Sequence, residues 1–367
     1  MKKYDLLIVG CGLTGATIAA LNPDKRILIL ERDTIGGLHA SDIVDDILVF
    51  YRGLHPIHTN KQYIIEFLSK YTDLSAYRHK VMSKVDYDYL SFPINLYTVQ
   101  RLYGIDDIEE FKGMLMDNDA RTIAEKYSIL LGDDLYDKFY KGYTEKFWGI
   151  PATAVPSKVA DHIPINTSFN DTYFNDIYQY IPSHGYTPMI QNMTSHCDIV
   201  DDDYFNNIDL YSKAANKIIY TGSIDEFYGY ALGVLQWRTS EFNIVRELSE
   251  YAYPAPQINL PDEYVDYDDN KEVNNVRGYD YKHLIPSSNE HTIVSHESVM
   301  PWSNESQPRM YALPFIEQEI LHKDYLHRYN NDGVIFAGRQ ADYKNYSTSE
   351  IIERAIQINN KVNNDIS

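Results

Sequence analysis

The 367-residue sequence predicts an α/β fold: a parallel-sheet unit drawn from both ends of the chain, a small helical subdomain, and an antiparallel β-sheet subdomain. Three observations predict it. An apolar run, Tyr4-Asp5-Leu6-Leu7-Ile8-Val9, meets a glycine turn, a helical stretch and a second apolar run, Arg26-Ile27-Leu28-Ile29-Leu30. Residues 96–148 then carry helical spacing. From Tyr230 to Tyr311, β-like runs alternate with acidic loops, before Val334-Ile335-Phe336-Ala337-Gly338-Arg339 returns as a buried strand. Length alone asks for two or three subdomains.

The N-terminal element is the most specific. Gly10-Cys11-Gly12-Leu13-Thr14-Gly15 is a GxGxxG between a strand and a helix, and Glu31 closes the next strand about 20 residues on. Gly10 permits the tight turn, Gly12 lets a pyrophosphate approach the backbone, and Gly15 lets helix and strand pack closely. The helix N-terminus offers free N–H groups to phosphate, and Glu31 is placed for a ribose diol. The bland alternative is a glycine-rich turn in an ordinary α/β unit. Arg32 and the pair Gly36-Gly37 follow at once, a spacing closer to the FAD branch of Rossmann-like folds than to the NAD branch; FAD is the expected cofactor.

Composition narrows the function classes. The chain is 44% hydrophobic, enough for a sizeable core, and its formal charge is −20. Nucleic-acid binding is not expected, because phosphate neutralisation needs clustered Lys and Arg. An anionic substrate needs a local basic pocket against that field. No apolar run is long enough for a membrane span. The first strand begins almost at the first residue, leaving no room for a signal peptide, and the two cysteines, Cys11 and Cys197, suggest no disulfide framework. The expected compartment is the cytoplasm. Most of the 33 tyrosines must be packing residues.

In chain order, Asp42–Val49 suggests a strand pair. His55 and His58 follow in a loop around glycine and proline; no Cys or carboxylate sits at ligand spacing beside them, so no metal site is expected, and taken alone the pair reads as structural. Lys61–Tyr71 has helical spacing, and Leu90–Asn95 suits a short strand or turn. Helices are expected over Thr98–Tyr103, Asp107–Met116, Thr122–Leu131 and Asp133–Trp148, then loop and strand over residues 150–190. Ile218–Asp225 suits a core strand ending in a turn, Pro261–Asp269 a solvated loop, and Ser349–Val362 an amphipathic helix capped by Ser349. The expected division is residues 1–75, 185–228 and 325–367 for the cofactor domain, 96–150 for the helical subdomain, and 76–95, 151–184 and 229–324 for the β-sheet substrate subdomain.

Several strings together resemble the UDP-galactopyranose mutase family. They are the glycine fingerprint with Gly36-Gly37, Gly53-x-His55-x-x-His58-Thr59, and Lys141-Gly142-Tyr143-Thr144-Glu145-Lys146-x-Trp148-Gly149. Tyr173-Phe174-x-Asp176-x-Tyr178-Gln179-x-Ile181-Pro182, Tyr220-Thr221-Gly222-x-Ile224-Asp225, Arg277 and Phe336-x-Gly338-Arg339 continue the match over nearly the whole chain. The resemblance implies an isomerase that interconverts pyranose and furanose forms of a UDP-sugar, UDP-galactose by default. The FAD must be reduced; its N5 attacks the anomeric carbon and UDP leaves and returns. It implies cofactor contacts from Gly10, Gly12, Gly15, Glu31, Arg32, Gly37, Arg238, Gly338 and Arg339. It places His55 and His58 beside the flavin, and Arg277 on the diphosphate. Tyr143, Thr144 and Trp148 become the uridine-side wall, with Tyr178, Tyr311 and Tyr346 as further substrate residues. The partner implied is a nucleotide sugar, and a homodimer is left open.

The sequence departs from the family's pattern around the diphosphate. After Ile163-Pro164 the family has a second arginine, and Asn166 stands there. Near the C-terminus a tyrosine and an aspartate give way to Asn345-Tyr346-Ser347. Tyr346, Lys344 and Arg309 are the candidates to compensate. These changes leave three substrates open, namely UDP-galactose bound more weakly, UDP-arabinopyranose, and an N-acetylated or deoxy sugar. A redox flavoenzyme on the same fold and a non-catalytic nucleotide-sugar binder are the readings from other classes.

Overall fold

A computed structural model describes residues 4–116, 119–262, 264–266, 271–304, 306–329 and 333–364. The five-stranded sheet under the glycine turn is wholly parallel. Its order is Asp198–Asp201, Ile27–Glu31, Tyr4–Val9, Ala215–Tyr220, Val334–Phe336. The central strands are apolar on both faces, as a parallel sheet covered on both sides requires: Leu6, Leu7, Ile8, Ile27, Ile29 and Leu30 are all buried. The helix Leu13–Ala20 is buried along its whole length. It packs against the last helix, Thr348–Asn364, in the largest core cluster.

A second sheet has seven strands. Its order is Tyr311–Ala312, Trp237–Glu247, Thr292–Pro301, Asn275–Asp280, Gln257–Asn259, Val81–Val85, Asp88–Phe92. All its pairings are antiparallel except that of Gln257–Asn259 with Val81–Val85. The register sets Arg277 opposite Glu297 and Trp237 opposite Ala312. The helices Leu96–Tyr103, Ile108–Met114, Ile123–Leu131 and Asp133–Tyr136 close over their own core, which includes Phe111, Tyr127, Leu135 and Phe139. A π-helical turn, Asp137–Lys141, leads into Gly142–Trp148. Such wide turns re-aim the residues that follow them. No helix among the described residues is long and apolar enough to cross a membrane.

Three expectations need correction. Residues 150–190 are not only loop and strand, because a helix begins at Tyr186 and runs to Met193, with Pro188 in its first turn, where its missing N–H is harmless. Within the expected solvated loop Pro261–Asp269, Tyr264–Asp266 pairs with Lys271–Val273, whereas positions 263 and 267–269 lie outside the described residues. The last helix starts at Thr348 and is capped by Ser347, not Ser349: Ser347 N donates to Glu350 and Glu350 N donates back to Ser347 Oγ.

Candidate active site

The glycine turn opens on a cavity of about 440 Å³. Gly10 has φ +104°, and a Cβ there would lie 2.1 Å from Thr221 Oγ1. At Gly15 a Cβ would lie 2.2 Å from the Gly10 carbonyl, so helix and strand meet through bare backbone. Gly12 and Gly37 face one another: a Cβ on Gly37 would sit 3.7 Å from the Gly12 Cα. Gly338, at φ +105°, brings the last strand's exit against Thr14. Glu31 lines the cavity and braces the turn as well, accepting from Cys11 N at 2.7 Å and Asp33 N at 2.9 Å. Burial raises its carboxyl, against those two backbone bonds. Arg32 donates to Asp203 at 2.8 Å and Glu226 at 2.6 Å.

The histidine loop sits behind this cavity. The His55 ring bonds the Arg52 carbonyl at 3.1 Å and lies 4.6 Å from the ring of His39, which lines the cavity. Burial, and then the charge of Arg339, push the His55 pKa down to about 4, so the imidazole is neutral at pH 7. His58 is held differently. Its Nδ1 meets Asp176 at 2.8 Å, its ring stacks on Phe174 at 3.7 Å, and its carbonyl accepts from Ser349. Asn60 donates to the other oxygen of Asp176, which fixes that carboxylate.

The best-formed constellation centres on Glu297, whose side chain is fully buried. It accepts from Tyr279 at 2.7 Å, Ser240 at 2.7 Å, Tyr311 at 2.9 Å and Arg277 at 3.2 Å. Burial alone would raise its carboxyl, but Arg277 and the three hydroxyls outweigh it and hold the group below the usual carboxylate range. Arg277 also donates from Nε to the Tyr143 hydroxyl at 2.8 Å and from Nη2 to the same oxygen, and its guanidinium lies 4.9 Å from the Phe147 ring centroid. Tyr311 carries the chain of contacts onward: the guanidinium of Arg339 lies 5.4 Å from its ring centroid. Arg339 lines the cavity, bonds the Tyr346 carbonyl at 3.5 Å, and has a buried Nε with no partner among the described residues.

Thus Tyr143, Arg277, Tyr311 and Arg339 are brought together, and Tyr346 joins them through its backbone. The other expected residues are placed apart from this chain of contacts. Arg238 is buried and donates to the Lys146, Phe147 and Val299 carbonyls, so it fixes the end of the helix Gly142–Trp148. On that helix Thr144 is buried and Trp148 packs edge-on to Phe147. Tyr178 lies on the strand paired with the histidine strand, its hydroxyl 3.5 Å from Gln62. Asn166 bonds the Ile94 and Asn170 carbonyls. Of the expected compensators, Arg309 is buried against Glu226 and Tyr230 at the cofactor cavity, and Lys344 is exposed. Asn345 clasps both the N–H and the carbonyl of Ala312, which sets the strand that bears Tyr311. Sequence reasoning passed over Glu297, Tyr279 and His39. Glu297 had one signal, an acid at an inward position of an otherwise apolar and small-residue strand.

Comparison with known proteins places the chain in a family. The family model described as UDP-galactopyranose mutase matches residues 138–345. The dTDP-fucopyranose mutase of Escherichia coli is 26% identical over 96% of this chain and 96% of its own length. The UDP-galactopyranose mutase of Mycoplasma genitalium is 32% identical over 71% of each chain. A crystal structure of reduced UDP-galactopyranose mutase has the same fold, with a TM-score of 0.72 at 14% identity, covering 99% of this chain and 94% of that one. The family match spans more than half of the sequence and includes the Tyr143–Arg277–Glu297–Tyr311–Arg339 constellation, so this chain belongs to the UDP-galactopyranose mutase family of isomerases.

Proposed function

We propose that the protein interconverts the pyranose and furanose forms of a nucleoside-diphosphate sugar, with reduced FAD as cofactor and UDP-galactopyranose as the default substrate. The residues present fit a flavin dinucleotide. Gly12 and Gly37 leave a cradle that side chains would fill, Glu31 still has lone pairs for a ribose diol, and the unpartnered Nε of Arg339 faces an acceptor that the described protein atoms do not supply. When bound and reduced, the flavin supplies the nucleophile that displaces the diphosphate from the anomeric carbon.

The single observation that carries this reading is the unbroken run from the cofactor cavity to a guanidinium fork: Arg339, Tyr311, Glu297, Arg277, Tyr143. Arg277 offers paired N–H donors to phosphate oxygens. Glu297 orients it from the opposite side, and is itself fully buried. Neutral His55 presents an imidazole without adding charge beside the cofactor, and Asp176 with Phe174 fixes the ring plane of His58. Asn166 supplies no charge where the family's second diphosphate arginine is expected. A charge-assisted hydrogen bond contributes about 1.5–3 kcal/mol, so the diphosphate is held less tightly unless the sugar or base adds contacts. A deoxy sugar is therefore a real candidate, since the E. coli relative acts, by its name, on dTDP-fucopyranose.

The test is one incubation series. FAD-loaded protein, its loading checked by the flavin absorbance spectrum, is reduced with dithionite and given UDP-galactofuranose, UDP-galactopyranose, UDP-arabinopyranose or dTDP-fucopyranose. The isomers are then separated by chromatography. Interconversion of at least one pair is expected under exclusion of air, and the oxidised protein should form no hydrogen peroxide in response to any of these substrates. Loaded, reduced protein that isomerises none of them overturns the proposal.

A further inference from the structure

We infer that Tyr143 is a placeholder for the substrate's diphosphate on Arg277: its hydroxyl occupies the arginine's phosphate-binding edge, and the diphosphate must displace it. The inference rests on the reading of Arg277 as the diphosphate ligand.

A guanidinium has two hydrogen-bonding sides relevant here. The Nη1 group of Arg277 points at Glu297, 3.2 Å away, and at the Tyr311 hydroxyl, 3.5 Å away. Its Nε and Nη2 form the lateral edge, the fork that matches two oxygens of a carboxylate or phosphate. In this structure both converge on one atom, the Tyr143 hydroxyl oxygen. That oxygen has two lone pairs, so Arg277 uses its whole accepting capacity. Burial raises the Tyr143 hydroxyl's pKa despite the neighbouring guanidinium, so the phenol is neutral at pH 7. The lateral edge of a charged arginine is therefore covered by a single uncharged oxygen, while the opposite side holds a carboxylate that four donors fix in place.

Such an arrangement favours exchange on one side only. A phosphate brings two anionic oxygens to the fork in place of one neutral hydroxyl, so each new bond joins two charged groups. Tyr143 can yield without leaving a charge unpaired, because Glu297 stays. Tyr143 and Phe147 are stacked on one helix face, with ring centroids 5.9 Å apart, so the released phenol keeps an aromatic neighbour. The design keeps Arg277 hydrogen-bonded between turnovers and lowers nucleotide affinity, which speeds release.

The sign of one substitution tests this. Tyr143→Phe keeps the ring and frees the fork, so UDP and dTDP should bind about two- to tenfold more tightly, with slower dissociation, because no protein hydroxyl then competes for the two donors. Calorimetry and stopped-flow displacement on FAD-loaded protein read both. A hydroxyl that contacts the bound nucleotide, or that only supports the fold, predicts equal or weaker binding, and either result overturns the placeholder. Arg277→Ala is the separate control. It should lose nucleotide affinity by tenfold or more, and unchanged affinity there would remove the diphosphate role itself, whatever Tyr143→Phe does.

Discussion

At the scale of single residues, Glu297 is where stability and chemistry meet. It is a fully buried acid with four donors, and truncating it leaves Arg277 without its counter-charge in a half-dry site. Breaking a buried ion pair from one side costs about 3–5 kcal/mol. Glu297→Ala should therefore lower the unfolding free energy by about that amount in urea titrations. The pH dependence has a definite sign. The folded carboxyl sits below its unfolded value, so its contribution is present above about pH 4.3 and is lost as pH falls through the folded pKa. Acid should lower the Tm of the parent protein more steeply than that of Glu297→Gln below about pH 4. His55 acts in a different window. Its folded pKa of about 4 lies under the unfolded value, so the unfolded chain takes up the proton first. That contribution is whole above about pH 6.5 and drains as pH falls toward the folded value. In His55→Gln the Tm should be flatter across that window; an unchanged slope would mean the imidazole is freely solvated. Nothing near either residue in the chain marks the Arg277–Glu297 pair, because a cross-strand contact depends on register, and register is not written locally. The inward acid among small and apolar neighbours was a legible hint that only burial made decisive.

At the scale of elements, the changes around Asn345-Tyr346-Ser347 acquire a structural meaning. Asn345 clamps the Ala312 backbone with bonds of 2.8 and 2.9 Å, and Ser347 opens the last helix with a reciprocal cap on Glu350. The capping pattern Ser347-x-x-Glu350 was legible, yet Ser349 competed as a nearer hydroxyl. In the fold Ser349 turns away to the His58 carbonyl, tying the helix start to the histidine strand. Losing an N-cap costs about 0.5–2 kcal/mol, and aspartate caps as well as serine. Ser347→Ala should thus be destabilised by about 1 kcal/mol in thermal unfolding. Ser347→Asp, a cap of about equal strength, should stay close to the parent. A large loss in Ser347→Asp would show that this position tolerates no charge beside Arg339 and Tyr346. The helix Ile316–Arg328 was missed for a plain reason: its apolar residues follow no single face, with Ile316 and Ile320 exposed and Tyr325 buried. Periodicity finds helices that bury a stripe, whereas this one is anchored mainly by Tyr325.

At the scale of the whole molecule, the formal charge of −20 sets the terms on which an anionic nucleotide sugar arrives. The constellation that would receive the diphosphate carries little net charge, because Glu297 offsets Arg277; Arg339 is the cation left over in the run of contacts from the cofactor cavity. With that net charge, we predict that like-charge repulsion governs the approach beyond a few ångströms. Salt should act unequally on the two halves of binding. The screening length falls from about 30 Å at 0.01 M to about 8 Å at 0.15 M, which removes most of the long-range repulsion while leaving contacts inside the cleft less affected. The association rate of UDP with the FAD-loaded protein should accordingly rise with salt over that range, and dissociation should change little. Stopped-flow displacement at several salt concentrations separates the two rates. An association rate that falls with salt would show that the field of Arg277 and Arg339 reaches past the rim and steers the substrate in, in which case the acidic surface serves some purpose other than tuning the encounter. The charge was readable from composition alone, but its consequence was not. The pairing of Arg277 with Glu297 adds what composition could not show: the guanidinium fork proposed to meet the diphosphate is already offset by a buried carboxylate.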